Sequence, residues 1–473
     1  MRNKRTREGE RSSSVVGEEQ VSQAELLRRS LAWIIDEEMF TKLSMHGNTN
    51  WSAAQFVMLA ILWAWSDQST LTGAFHQAAQ LAAKLFGQSA LASYPGFTSA
   101  LVKWSSRLVP ELWQRLQTRM QQVSGDHGRI GGWFPLAVDG SRVSTPRSRS
   151  NEATFSARNY GRGRKAQSRC KWRNKKRRSK PLSQVVKPQI WLTLIWHMGL
   201  KMPWCWKLGP STASERQHFL QLLKTERFPD KTLFCGDAGF VGYQLWKGIL
   251  DEGHHFLIRV GGNVQLLRGL GHVRSRPGIV CLWPEAVAKK KQAPVVLRLL
   301  EFQGARGPVY LVTDLLSDKA LTLRQAKELY KLRWGVELQF RGLKQTFGRE
   351  KLRSRSAPCA LAELEWSLIG LWSIQLFAAK EQLAVDSPPA NCSLALALSV
   401  IQNAVRNWTA AATSPRELRL RLRQAVKDRY HRTSSKAARY KPKCKDNPCS
   451  TKPVIVAASL KQKQIYRALT LSA

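Results

Sequence analysis

WFPLAVDG, residues 133–140, reads as a short buried strand, Trp133–Val138, that ends on an aspartate, Asp139. Further apolar runs follow it. Gln189–His197 (QIWLTLIWH) is near-continuously apolar, the pattern of a central strand. Met198-Gly199 turns it into PWCWKLG, a hairpin partner. Thr212-x-x-Glu215 reads as a capping box opening a helix through Leu223. Lys231–Cys235 is another buried strand, with Gly236-Asp237 at its end. Gly242–Glu252 reads as a helix and His255–Val260 as a strand.

The order strand–strand–strand–helix–strand, with Asp139 on the first strand and Asp237 on the fourth, is that of a ribonuclease-H-like sheet. In that layout the two strands are neighbours and bring both carboxylates together. Asp314 also follows a strand, but Asp237 fits the order better. The fold class is therefore α/β: a ribonuclease-H-like catalytic core, a mixed sheet with helices, spanning 131–380. It carries a mainly β insertion at 261–308 and a basic loop at 142–180. A disordered terminus (1–20) and a helical, DNA-binding domain (21–130) precede it. A helical, basic region (381–473) follows.

A third acid comes from LTLRQAKELYKLRWGVELQFRGLKQTFG, which Thr322-x-x-Gln325 caps as a helix running to about Gly348. At about 100° per residue, Tyr330, Arg333, Glu337 and Lys344 share one face roughly 60° wide. One carboxylate between two cations and a phenol suits a metal ion beside a phosphate. A lone helical Glu is more often a solvated salt-bridge partner; the spacing and the upstream aspartates argue otherwise here.

Seventy-five Lys and Arg against 33 Asp and Glu give a net charge of +42, which calls for a polyanionic partner. Arg142–Lys180 alone carries fifteen basic residues against one acid, Glu152, the composition of a clamp on phosphates. Eighteen Trp spread along the chain favour nucleic acid over a membrane surface. No run reaches the roughly 18 apolar residues of a spanning helix, and the N-terminus lacks the apolar stretch of a secretory signal. Eight cysteines form no dense framework, which fits a reducing cytosol. Cys444-x4-Cys449 lacks a second pair to complete a metal knuckle.

AVDGSRVSTPRSRSNEATF, FCGDAGFVG, FLIRVGGN and the spacing Tyr-x2-Arg-x3-Glu-x6-Lys together resemble bacterial insertion-sequence DDE transposases of the IS-four group, marked by the YREK signature. The resemblance covers about residues 133–350. It implies Asp139, Asp237 and Glu337 as catalytic metal ligands for two Mg²⁺ (or Mn²⁺) per site, and Tyr330, Arg333 and Lys344 as phosphate contacts. It implies cut-and-paste transposition through a DNA hairpin, on double-stranded DNA (transposon inverted repeats and target DNA). It further implies a homodimer on the DNA ends, in the bacterial cytoplasm at the nucleoid. The sequence departs from that pattern at Val309, where relatives place a base-stacking Trp; the neighbouring Tyr310 is the candidate substitute. An inactive DNA-binding remnant and a nuclease that cuts without joining are the alternatives.

Overall fold

Apolar residues at three- and four-residue spacing fold the N-terminal part into helices. A computed structural model of the chain describes residues 21–471 apart from 42, 44–50, 88–92, 157–186, 272–277, 305–306 and 429–451. It begins with α1 (Gln23–Ile34), α2 (Ala53–Trp65), α3 (Leu71–Phe86) and α4 (Tyr94–Ser124). Side chains of Ser22, Ser52, Thr70 and Ser93 cap them by accepting backbone N–H bonds. α2 is apolar on every side and buried almost throughout, as a core helix must be.

β1 (Phe134–Ser144) follows, then a short helix α5 (Arg149–Phe155), β2 (Gln189–His197), β3 (Met202–Gly209), α6 (Glu215–Thr225), β4 (Thr232–Gly236), α7 (Tyr243–Asp251) and β5 (His255–Val260). β1–β2 and β2–β3 are antiparallel, β4 is parallel to β1, and β5 is parallel to β4. The resulting order, β3-β2-β1-β4-β5, is that of a ribonuclease-H-like core. Two local readings change. β1 does not stop at Asp139, because Gly140–Ser144 go on pairing with Thr193–Gln189. The box at Thr212 does not form: α6 starts at Glu215, after an N-cap Ser214 that makes no side-chain cap bond.

The insertion comprises β6 (Gln265–Arg268), β7 (Ile279–Leu282), α8 (Glu285–Lys289), β8 (Val295–Gly304) and β9 (Gly307–Thr313). β9 pairs antiparallel with β5, so the insertion extends the same sheet. Beyond it lie α9 (Leu323–Leu332), α10 (Gly335–Arg341), a π-turn (Gly342–Thr346), α11 (Ala357–Leu383), α12 (Leu394–Arg406) and α13 (Glu417–Gln424). The C-terminal region, expected to be helical, also supplies a strand. β10 (Val454–Ala457) pairs parallel with β6 as the tenth strand, and α14 (Leu460–Leu471) sets Tyr466 against Trp283, ring centroids 6.1 Å apart. The expected disordered N-terminus, most of the basic loop, and Cys444 and Cys449 lie outside the described residues.

α11 ties the N-terminal helices to the sheet. Trp65 Nε1 donates to Gly370 O at 2.9 Å and Trp366 Nε1 to Ser105 Oγ at 2.8 Å. On the sheet side the Trp372 ring stands 6.1 Å from that of Trp206 on β3. Helices and sheet thus share one apolar core.

The expected signature helix is in fact interrupted. Val336 N bonds to Arg333 O and Glu337 N to Trp334 O, two i→i+3 bonds that overtwist the chain between α9 and α10. The π-turn then untwists it, a deviation of opposite sense. Gly335 stands at the break, where a Cβ would lie 2.1 Å from Cη2 of the buried Trp196. Only a glycine lets α10 sit this low on β2. Gly335→Ala is therefore expected to cost about 1–3 kcal/mol and to lift Glu337 off the sheet. A thermal melt unchanged from the parent chain would contradict the close approach.

Candidate active site

The parallel β1–β4 pairing ends with Ala137 opposite Cys235, and Asp139 and Asp237 each lie two residues beyond that last pair, close enough for the Asp237 charge to act on Asp139. Asp139 Oδ1 accepts the Gly140 N–H at 2.8 Å, and its side chain is 18% exposed. Asp237 caps the single turn Ala238–Phe240, with Oδ1 accepting the Gly239 N–H at 2.7 Å. Burial raises the Asp139 pKa to about 6, and the Asp237 and Glu337 carboxylates add to the rise. The Gly140 N–H and the Arg333 guanidinium pull it down without cancelling the shift.

Arg333 closes one side of this pair. It is 3% exposed, and its Nη1 lies 3.9 Å from Asp139 Oδ2, too long for a hydrogen bond. Nε and Nη1 have no hydrogen-bond partner among the described residues. The guanidinium lies 5.5 Å from the Tyr330 ring centroid and 5.6 Å from that of Trp334, so the aromatics hold the fork. A buried cation with unmet donors is expensive unless an anion completes it. Tyr330 is itself buried and serves as a wall for Arg333. Lys344, carried by the π-turn, donates from Nζ to Ser141 Oγ at 2.7 Å, which places it two residues along β1 from Asp139; burial lowers its pKa.

Glu337 is exposed in the first turn of α10. It is close enough to Asp139 to disturb its ionisation, yet the three acids do not converge. Among the described residues no group of three His, Cys, Asp or Glu side chains is gathered tightly enough to hold a metal ion. The donor chemistry nevertheless fits a hard divalent cation: all-oxygen ligands, and a buried carboxylate whose charge one Arg does not balance.

Two sequence readings resolve differently. Tyr310 lies 6% exposed inside the sheet, paired with Val260 on β5, and its hydroxyl donates to Glu301 Oε1 at 3.0 Å. As it stands the ring is buried and its hydroxyl engaged, so Tyr310 presents no free face to a base in this arrangement. Asp314 is engaged elsewhere: Oδ2 meets His255 Nδ1 at 2.5 Å and Oδ1 accepts the Phe256 N–H at 3.0 Å. Two residues of the neighbourhood escaped the sequence reading. Trp334, 55% exposed, follows Arg333 directly. Glu215 opens α6 beside Gly140, and burial, then Asp139 and Asp237, raise its pKa to about 7. No sequence signal marks Glu215, because an acid in the first turn of a helix is ordinary.

Residues 135–369 match the family model of the transposase DDE domain. The transposase InsG for insertion sequence element IS4, from Escherichia coli (strain K12), is 26% identical over 290 residues, 59% of this chain and 59% of that protein. The chain thus matches less than two thirds of that relative's length. A solved structure, the cryo-EM structure of the piggyBac transposase synaptic complex with hairpin DNA, aligns over 89% of this chain and 88% of its own at 15% identity, with a TM-score of 0.37.

The raised pKa of Asp139 has a definite sign. From the ordinary value of 3.8 to about 6, ionisation favours the unfolded chain, so the stability present below pH 3.8 is lost as pH rises through 6. Asp139→Asn is expected to melt higher than the parent at pH 8 in metal-free buffer, by on the order of 2 kcal/mol, with the gap shrinking towards pH 4. An equal or lower melting temperature at pH 8 would contradict this.

Proposed function

We propose, from the premise that the chain belongs to the DDE transposases of IS4 type, that it cleaves DNA at transposon ends and joins the freed ends to target DNA. The observation that carries this reading is Arg333: a buried cation with unmet donors beside a buried, undercompensated Asp139. A phosphodiester completes the first, and divalent cations complete the second.

Asp139, Asp237 and Glu337 would hold those cations, two Mg²⁺ or Mn²⁺ per site. When bound, the ions supply Lewis-acid activation of the attacking water or 3′-hydroxyl and neutralise charge on the leaving 3′-oxygen. The chain's own groups position the phosphate. Arg333 offers Nε and Nη1 to a non-bridging oxygen, held by Tyr330 and Trp334. Lys344, steadied by Ser141, adds a second positive charge along the strand. Bringing Glu337 into the centre takes a shift of α10 towards β1, for which the overtwisted junction at Arg333–Trp334 is the hinge. The net charge of +42 supplies affinity independent of sequence and steeply sensitive to salt.

The finer steps belong to the same proposal. A water-driven nick frees a 3′-hydroxyl, which attacks the opposite strand to form a hairpin; the hairpin is reopened and the end joins target DNA, in a homodimer holding both ends. With cognate inverted repeats and Mg²⁺, the purified protein is expected to nick and then join. Asp139→Ala, Asp237→Ala or Glu337→Ala should each lower nicking by about 10²–10³-fold or more, and Arg333→Ala by a similar factor. Full activity in any of the three acid variants would refute the triad. Nicking without joined products would indicate a nuclease, and binding without nicking an inactive remnant.

A further inference from the structure

We infer that the open cavity at the heads of α3, α4 and α11 binds phosphate, and that it holds a backbone phosphate of DNA outside the catalytic edge. The phosphate chemistry stands on the cavity itself; its assignment to DNA rests on the proposed function. The cavity measures about 510 Å³. Thr70–Thr72 begin α3, Tyr94 begins α4, Ser356 and Cys359 begin α11, and all of them line it. Three long helices thus bring their positive ends to one space, where backbone N–H groups and helix dipoles favour an anion.

A helix start draws no ligand where side chains already satisfy it. Thr70 Oγ1 accepts the Gly73 N–H at 3.0 Å and Ser93 Oγ the Gly96 N–H at 3.3 Å, so α3 and α4 are capped. α11 is not. Ser356 makes no side-chain cap bond, the Ala357 N–H is spent on Ser150 Oγ at 3.0 Å, and Pro358 has no N–H. The Cys359 N–H, at the cavity wall, is left without a cap. The independent sign of a ligand is Ser354, which is 6% exposed. Its N–H donates to Glu363 Oε2 at 2.8 Å, and its carbonyl accepts from Asn151 Nδ2 at 3.0 Å. Its hydroxyl lines the cavity with no hydrogen-bond partner among the described residues. A buried hydroxyl normally finds one; a phosphate oxygen entering the cavity supplies it.

Arg353 and Arg355 add positive charge to the wall. Arg353 Nη1 donates to Gln68 O and Ser69 O at 2.8 and 3.0 Å, which clips this segment to the turn before α3. Arg355 is exposed. The nearby acid, Glu363, is 1% exposed and accepts the N–H groups of Arg353 and Ser354, with Arg353 Nε 3.9 Å away. Its charge is therefore spent inside the protein. The cavity also continues the catalytic edge. Ser144, at the end of β1, donates its N–H to Glu350 O at 3.1 Å and accepts the Leu352 N–H at 2.8 Å. The surface thus leads from Ser141 and Lys344 along β1 to exposed Lys351 and on to Arg355, a line of cations that a DNA strand can follow.

The test uses the full chain and a mixed-sequence DNA duplex. It reads binding at several salt concentrations and the rate of Cys359 alkylation, followed by peptide mass spectrometry. Arg355→Gln is expected to weaken binding roughly threefold or more and to lower the salt slope by about 1. Ser354→Ala is expected to weaken it by a similar factor at unchanged slope, because a hydroxyl carries no charge. In the parent, duplex and, at higher concentration, orthophosphate should each slow Cys359 alkylation, and Arg355→Gln should restore the rate. Duplex binding that leaves the Cys359 rate unchanged, or parent-like binding in both variants, would overturn the site and leave the proposed function standing. Weakening in Arg355→Gln alone would reduce the cavity to a surface charge and likewise overturn it. Protection by orthophosphate but not by duplex would overturn its assignment to DNA. A chain that binds no duplex at all would overturn the proposed function and that assignment with it.

Discussion

The parallel pairing of β1 with β4 is the constraint from which the rest follows. Its last pair, Ala137 with Cys235, brings the chain ends that carry Asp139 and Asp237 to the same edge of the sheet. Both strands are buried on both faces over the paired stretch, so a slip in register would disrupt close packing on each side. Asp139 is held there at an electrostatic cost: burial first, then the charges of Asp237 and Glu337, raise its pKa to about 6. An arrangement that the backbone imposes and the charges resist is how a site stores the readiness to take a ligand.

The other elements serve that edge. Antiparallel β2 carries Trp196, and Gly335 allows α10 to rest on it, which sets the height of Glu337 above the strand. The π-turn brings Lys344 down to Ser141 on β1. α11 anchors these helices through buried tryptophans and binds them to the N-terminal bundle, so the platform under the site is stiff. The junction at Arg333–Trp334 differs, with two tightened turns and an exposed indole.

Much of this was legible in the sequence because it rests on short-range pattern. Apolar runs ending in Asp-Gly and Gly-Asp placed both aspartates at strand ends, and helical periodicity located the segment Thr322–Gly348, though not its break after Leu332 or its π-turn. Strand order then gave the ribonuclease-H-like sheet. What escaped depends on contacts between distant segments. Strand alternation alone could not say that Tyr310 would be buried with its hydroxyl on Glu301 of β8. The four residues VIVA at 454–457 carry too little pattern to announce an edge strand. Thr212-x-x-Glu215 matches a capping box letter for letter, yet Glu215 turns to Gly140, because only the folded sheet supplies that neighbour.

The account stands on cations binding at the Asp139–Asp237 edge. Anomalous diffraction from crystals of the full chain soaked in Mn²⁺ tests this most directly. The account predicts a manganese peak shared by the Asp139 and Asp237 carboxylates, with Glu337 drawn towards it. Manganese ordered elsewhere in the same crystals, for example at Asp314 and His255, with none at Asp139, would contradict it.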